Sequence, residues 1–172
     1  MQKEDLLQEI ERLKQKNLLT TSNEKLEKIQ KLIRNTHQDL LKNNNPFLHV
    51  SASAVIFNRK KLFFIEHPKQ KEYLLPAGHV EEDETPLETA IREFHEETGY
   101  QAKMGLGLID VNEIKIPDYP PRKEKAHLHI DFRYHLELCE NEQVLAELPV
   151  YQLSKEETPC EFSKYFWLNE GK

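Results

Sequence analysis

The chain has 172 residues, enough for one domain with a sizeable core, and is 38% hydrophobic and 31% charged. No apolar run approaches the roughly 20 residues of a membrane span, and Met1-Gln2-Lys3-Glu4-Asp5 does not open a signal peptide, so a cytoplasmic protein with no membrane partner is expected. The net charge of −6 divides unevenly: residues 1–45 carry nine bases and seven acids, the remainder 15 bases and 23 acids, a balance that argues against nucleic acid as a partner.

Leu6, Leu7, Ile10 and Leu13 recur at helical spacing, and so do Leu26, Ile29, Leu32, Ile33, Leu40 and Leu41. Thr20-Thr21-Ser22-Asn23 between them supplies a break and candidate N-caps. Residues 1–45 therefore read as a helical hairpin and a module of their own, its second helix ended by Asn43-Asn44-Asn45-Pro46. The two apolar stripes require burial, either on residues 46–172 or in a homodimer. Next, Ser51–Phe57 and Lys61–His67 are β-rich runs split by Asn58-Arg59-Lys60, a hairpin pattern.

The most informative segment follows, reading GHVEEDETPLETAIREFHEETGY from Gly78 to Tyr100. Thr85 suits an N-cap, Pro86 the first helical position, and Glu88 completes a Thr-x-x-Glu capping box. Gly99 is the natural residue to end the helix. Within it Leu87, Ala90, Ile91 and Phe94 share one face, while Arg92, Glu93, Glu96 and Glu97 share the other. A solvated face with Arg92 and Glu96 as an ordinary ion pair is the plain reading of that polar side. Local charge speaks against it: Glu81 to Glu97 holds eight acids and one base. Like charges three or four residues apart destabilise a helix by a few tenths of a kcal/mol per pair. Oxygen donors at this density suit Mg²⁺ or Mn²⁺, not zinc.

Ile116 to Lys125, with three prolines and alternating charges, describes an exposed loop. Ala126 to Leu136 then alternates polar and apolar residues, which in a strand places His127, His129, Asp131, Arg133 and His135 on one face and Leu128, Ile130, Phe132, Tyr134 and Leu136 on the other. The polar face has three readings: meeting water, contacting substrate, or holding zinc through paired histidines. Cys139 and Cys160 have no metal-ligand spacing and read as thiols rather than a disulfide.

The segment from Gly78 resembles the signature of the Nudix hydrolases: Gly, five residues, Glu, seven residues, then Arg-Glu-U-x-Glu-Glu-x-Gly-U with U bulky and aliphatic. Gly78, Glu84, Arg92, Glu93, Glu96, Glu97 and Gly99 meet all the fixed positions, and Phe94 and Tyr100 stand at the U positions. A chance match is on the order of one in 10⁸ per window. Leu74-Leu75-Pro76-Ala77-Gly78 resembles the family's strand-to-loop entry, and Tyr165-Phe166-Trp167-Leu168 its closing aromatic strand.

The resemblance implies an α/β (α+β) sandwich, α/β/α in layers, with a mixed sheet over residues 46–172. It implies hydrolysis of the diphosphate in a small molecule, a nucleoside diphosphate linked to another moiety. Mg²⁺ or Mn²⁺ would be held by Glu93, Glu96, Glu97 and the Ala77 carbonyl. Glu93, Glu96 and Arg92 are the expected catalytic residues, with Glu84 bracing the loop. His127, His129, Asp131 and Arg133 are the expected substrate-binding set. The general base stays open among Glu93, Glu124, Glu140, Glu142 and Glu157. A final helix is expected to be lacking, which would leave one face of the sandwich for the hairpin or a partner to cover. The alternative function is a catalytically idle module that senses a nucleotide or a partner; loss of signature glutamates would favour it, and none is lost.

Overall fold

The computed structural model describes residues 2–66, 71–118, 120, 125–139 and 143–169. The elements in chain order are α1 (Lys3–Lys16), α2 (Asn23–Asn35), β1 (Leu48–Asn58), β2 (Lys61–Glu66), β3 (Tyr73–Leu74), β4 (Ala77–His79), α3 (Pro86–Thr98), β5 (Ala102–Ile116), β6 (His127–Leu138), β7 (Val150–Leu153) and a C-terminal 3₁₀ helix (Cys160–Asn169). The strands form one mixed sheet in the order β3-β2-β1-β6-β5, with β4 added beside β1 and β7 beside β2. β1 runs parallel to β6, and β4 runs antiparallel to β1. The mixed α+β architecture expected from the sequence is the one observed.

Side chains alternate across the strands, so the sheet feeds two cores. On one face Val50, Ala52, Ala54 and Ile56 of β1 and Ile130, Phe132, Tyr134 and Leu136 of β6 pack with Ala90 and Phe94 of α3. Leu6, Ile10 and Leu13 of α1 and Leu26, Ile29 and Ile33 of α2 belong to this same core, so both apolar stripes are buried within the chain. On the other face Val55, Leu62, Phe64 and Ile109 pack against Phe162, Tyr165, Phe166 and Leu168.

Two expectations need correction. The second helix ends at Asn35, not at Asn43–Pro46. Asn35, Thr36, His37 and Asp39 are poor helix formers whose side chains compete for the backbone. The Thr36 hydroxyl donates to the Leu32 carbonyl at 2.8 Å, and the Asp39 carboxylate takes the Leu41 N–H at 2.9 Å. Leu40 is buried all the same. Second, Tyr165–Leu168 is not a strand but part of the 3₁₀ helix. Phe162, Tyr165 and Phe166 stand at i, i+3 and i+4, a helical spacing that turns all three onto the sheet. This helix, rather than the hairpin or a partner, covers the second face. No described helix is long and apolar enough to cross a membrane.

Candidate active site

Helix α3 is capped at both ends by local chemistry. The Thr85 hydroxyl accepts the Glu88 N–H at 3.3 Å, and the Glu88 carboxylate accepts the Thr85 N–H at 2.8 Å. Gly99 closes the helix at φ +72°, a left-handed conformation that side chains disfavour. The polar face then lies against the loop and β4. Arg92 is its hub: Nε and Nη2 fork onto Glu84 at 2.7 and 3.0 Å, while Nη1 reaches Glu93 at 2.7 Å and Glu96 at 3.1 Å. Its Nη2 also donates to the His79 carbonyl at 3.3 Å, and Glu84 accepts from the Thr89 hydroxyl at 2.7 Å. Glu84 thus braces loop to helix.

Glu97 accepts the Ala77 N–H at 3.0 Å. The Glu93 carboxylate presses on Gly78 so closely that a Cβ there would sit 1.8 Å from Glu93 Oε1. A side chain at Gly78 would push the Glu93 carboxylate out of this place, which gives the first signature position a physical reason. Burial raises the pKa of Glu93 against the pull of Arg92. Burial pushes Glu97 up to about 8, with repulsion from Glu93, Glu147 and Glu96 adding to it. Glu84 moves the other way, lowered chiefly by Arg92. The pattern is that of negative charge in excess of its protein partners, on oxygen donors alone.

The polar face of β6 is neither solvated nor empty of partners. Asp131 is 1% exposed and accepts the hydroxyls of Ser51 and Ser53 at 3.0 and 2.8 Å. It also accepts Arg133 Nε at 2.9 Å, and Arg133 Nη1 donates to the Tyr165 hydroxyl at 2.9 Å. The Tyr165 hydroxyl in turn donates to Asp110 at 2.8 Å. Fully buried Asp110 is bonded in turn by Lys164 at 2.5 Å and by Lys25 of α2. Burial alone would raise the pKa of Asp110; Lys25 and Lys164 outweigh it and hold it low. His127 and His129 sit at the other end of this face, beside His49 of β1 and His79 of β4. Burial, reinforced by Lys42 and the neighbouring imidazoles, lowers His79 to about 3 and His129 to about 2, so both are neutral.

A family model described as NUDIX domain matches residues 47–170. The chain is a Nudix hydrolase. A curated relative from Lactococcus lactis subsp. cremoris (strain MG1363), "Probable DHNTP pyrophosphohydrolase", is 56% identical over 164 residues, covering 95% of this chain and 96% of that one. Among solved structures the fold is similar to a UDP-X diphosphatase, with TM-score 0.53 at 16% identity over 95% of this chain and 89% of that one. It is similar also to an ADP-ribose pyrophosphatase from Streptococcus suis 89-1591, with TM-score 0.54 at 14% identity over 72% and 92%. At such identities the two structures speak for the fold alone.

The Nudix frame brings Glu93 and Glu97 against Gly78 and Ala77, with Arg92 linking Glu93 to Glu96. It places His127 and His129 near that loop through His79, and Asp131 and Arg133 deeper in the sheet. Three residues had no sequence signal: His49, His79 and Glu147. The first two meet β6 only through strand pairing. The Glu147 N–H donates to the Glu96 carbonyl at 3.1 Å, which lays the segment before β7 along the end of α3 and brings its carboxylate within reach of Glu97. Of the alternative bases, Glu124, Glu140 and Glu142 lie outside the described residues, and Glu157 caps an exposed turn by accepting the Ser154 N–H at 2.9 Å.

Proposed function

We propose that this Nudix hydrolase is a Mg²⁺- or Mn²⁺-dependent pyrophosphohydrolase acting on a nucleoside diphosphate linked to another moiety, with DHNTP, the compound in the relative's name, as the first substrate to assay. The observation that carries this reading is Glu93 against Gly78 and Glu97 on the Ala77 N–H, with Glu96 joined to Glu93 through Arg92, together more negative charge than Arg92 balances. An all-oxygen set of this charge fits a hard divalent cation. When bound, such an ion neutralises phosphate charge and activates water.

The chain's own residues do the rest. Glu93, Glu96, Glu97 and the Ala77 carbonyl would hold the cation. Arg92 holds one oxygen each of Glu93 and Glu96, and the Ala77 N–H one of Glu97, which would leave the second oxygen of each carboxylate to the cation. Glu97 must shed the proton that burial favours, so cation binding and proton release are linked. Glu93, and Glu147 near Glu97, would be the carboxylates available to accept a proton from attacking water. His127 and His129 would shape the pocket wall next to the loop, over a floor that Asp131 and Arg133 make rigid.

The test is turnover by the full chain of DHNTP, ADP-ribose, nucleotide sugars and nucleoside triphosphates. One of these should be hydrolysed with Mg²⁺, stop with EDTA, and resume when Mg²⁺ or Mn²⁺ is restored. Undiminished turnover by metal-free protein in excess chelator would overturn the proposal.

A further inference from the structure

Four imidazoles meet on the sheet beside the catalytic loop: His49 from β1, His79 from β4, and His127 and His129 from β6. Ring nitrogens of His49, His79 and His129 all lie within 4.8 Å of one another. His79 Nε2 faces His129 Nε2 at 3.3 Å. Nitrogens placed tetrahedrally about 2.0–2.1 Å from a zinc ion stand about 3.3–3.4 Å apart, so this edge is already at ligand spacing. His49 packs over the group, its ring centroid 4.9 Å from that of His79 and 4.6 Å from that of His129.

The surrounding hydrogen bonds fix where the lone pairs lie. His49 Nδ1 is 3.0 Å from the Asn45 carbonyl, and His127 Nδ1 is 2.8 Å from the Lys125 carbonyl. A carbonyl oxygen only accepts, so both rings carry a proton on Nδ1 and, when neutral, a lone pair on Nε2. His127 Nε2 lies 2.9 Å from His129 Nε2, the atom that His79 Nε2 also approaches. One ring nitrogen, with one proton or one lone pair, serves two such neighbours poorly. A cation among them would take up the lone pairs together. An Nδ1–H held by a backbone carbonyl is also the usual brace behind a metal-bound histidine.

We propose that His49, His79 and His129 bind one first-row transition-metal ion of the zinc type, with His127 as the nearest fourth donor. Imidazole nitrogen selects such ions, whereas the carboxylate oxygens of α3 select Mg²⁺ or Mn²⁺, so the two sites differ in chemistry as well as place. The ion would tie β1, β4 and β6 at one point. His79 follows Gly78 directly, and its carbonyl receives Arg92. The histidine site is therefore a structural clamp on the loop that carries the glutamate cluster.

The experiment uses full-length protein stripped of metal and titrated with Zn²⁺ alone against a chromophoric chelator, with Co²⁺ as a spectroscopic probe. The wild type should retain about one equivalent of Zn²⁺ at this site and show the intense visible bands of tetrahedral Co²⁺ with nitrogen ligands. A Glu93→Gln/Glu97→Gln double variant should do the same. His129→Gln and His79→Gln, checked for native circular dichroism, should each bind Zn²⁺ roughly a hundredfold more weakly. Zn²⁺ binding lost with the glutamates but kept without His129, or no retained Zn²⁺ and no tetrahedral Co²⁺ spectrum in the wild type, would overturn the proposal. The readout is metal binding, so it stands apart from whether any substrate is turned over.

Discussion

Glu97 takes a single backbone N–H and otherwise faces other carboxylates, so its two protonation states pull stability and function in opposite directions. Without metal its pKa is about 8 in the folded chain against a reference of 4.5. Below pH 4.5 both states hold the proton and there is no penalty. As pH rises from there the unfolded chain ionises first, so metal-free stability falls until about pH 8 and is level above it. Glu97→Gln removes that loss. The variant should melt above the wild type in EDTA at pH 8, with little difference at pH 4, in paired thermal scans. Its turnover with Mg²⁺ should fall by at least about a hundredfold, a loss of roughly 3 kcal/mol in transition-state stabilisation. A variant that melts lower than wild type in EDTA at pH 8, or that keeps near-normal kinetics, would remove Glu97 from this role.

Elements differ in how openly the sequence declares them. Helix α3 was legible to the residue because its caps, its apolar face and its carboxylates all lie within one stretch of chain. The hairpin of β1 and β2 and the alternation in β6 were legible for the same local reason. The partners of β6 were not. That His129 meets His79, or that Asp131 meets Ser51 and Ser53, follows from β1 pairing with β4 and β6 at once, and no period in the sequence encodes that pairing. Asp110 was invisible too: it sits inside a long strand and takes its meaning from Lys25 of α2 and from Lys164 and Tyr165 of the 3₁₀ helix. Asp110→Asn should destabilise the protein by about 2–3 kcal/mol, less than the 3–5 of a fully enclosed ion pair because both lysines reach water. Urea unfolding of the two proteins measures this, and an unchanged midpoint would show the bridge to be idle.

For the molecule as a whole, the N-terminal hairpin is part of the core. Leu6, Leu7, Ile10, Leu13, Leu26, Ile29, Ile33 and Leu40 are all at most 9% exposed. At half the usual 1.5–3 kcal/mol each, their burial contributes roughly 6–12 kcal/mol before chain entropy, comparable with the whole stability of a typical domain. A chain lacking residues 1–45 should therefore be insoluble or lack cooperative melting, and the sheet face it exposes should raise the mass seen by light scattering. A soluble truncated protein with the wild-type melting temperature would show the hairpin to be an appendage. The bridge at Asp110 has a further consequence, in time rather than energy. It joins positions 85 and 54 residues apart along the chain. Contacts that close such loops must wait for the strands between them to order, so they belong on the native side of the folding barrier. Loss of the Asp110 charge should then leave the refolding rate within about twofold and appear almost wholly as unfolding faster by roughly 30- to 150-fold. The polar bridge works as a latch, which sets how long the folded chain stays shut and not how quickly it gets there.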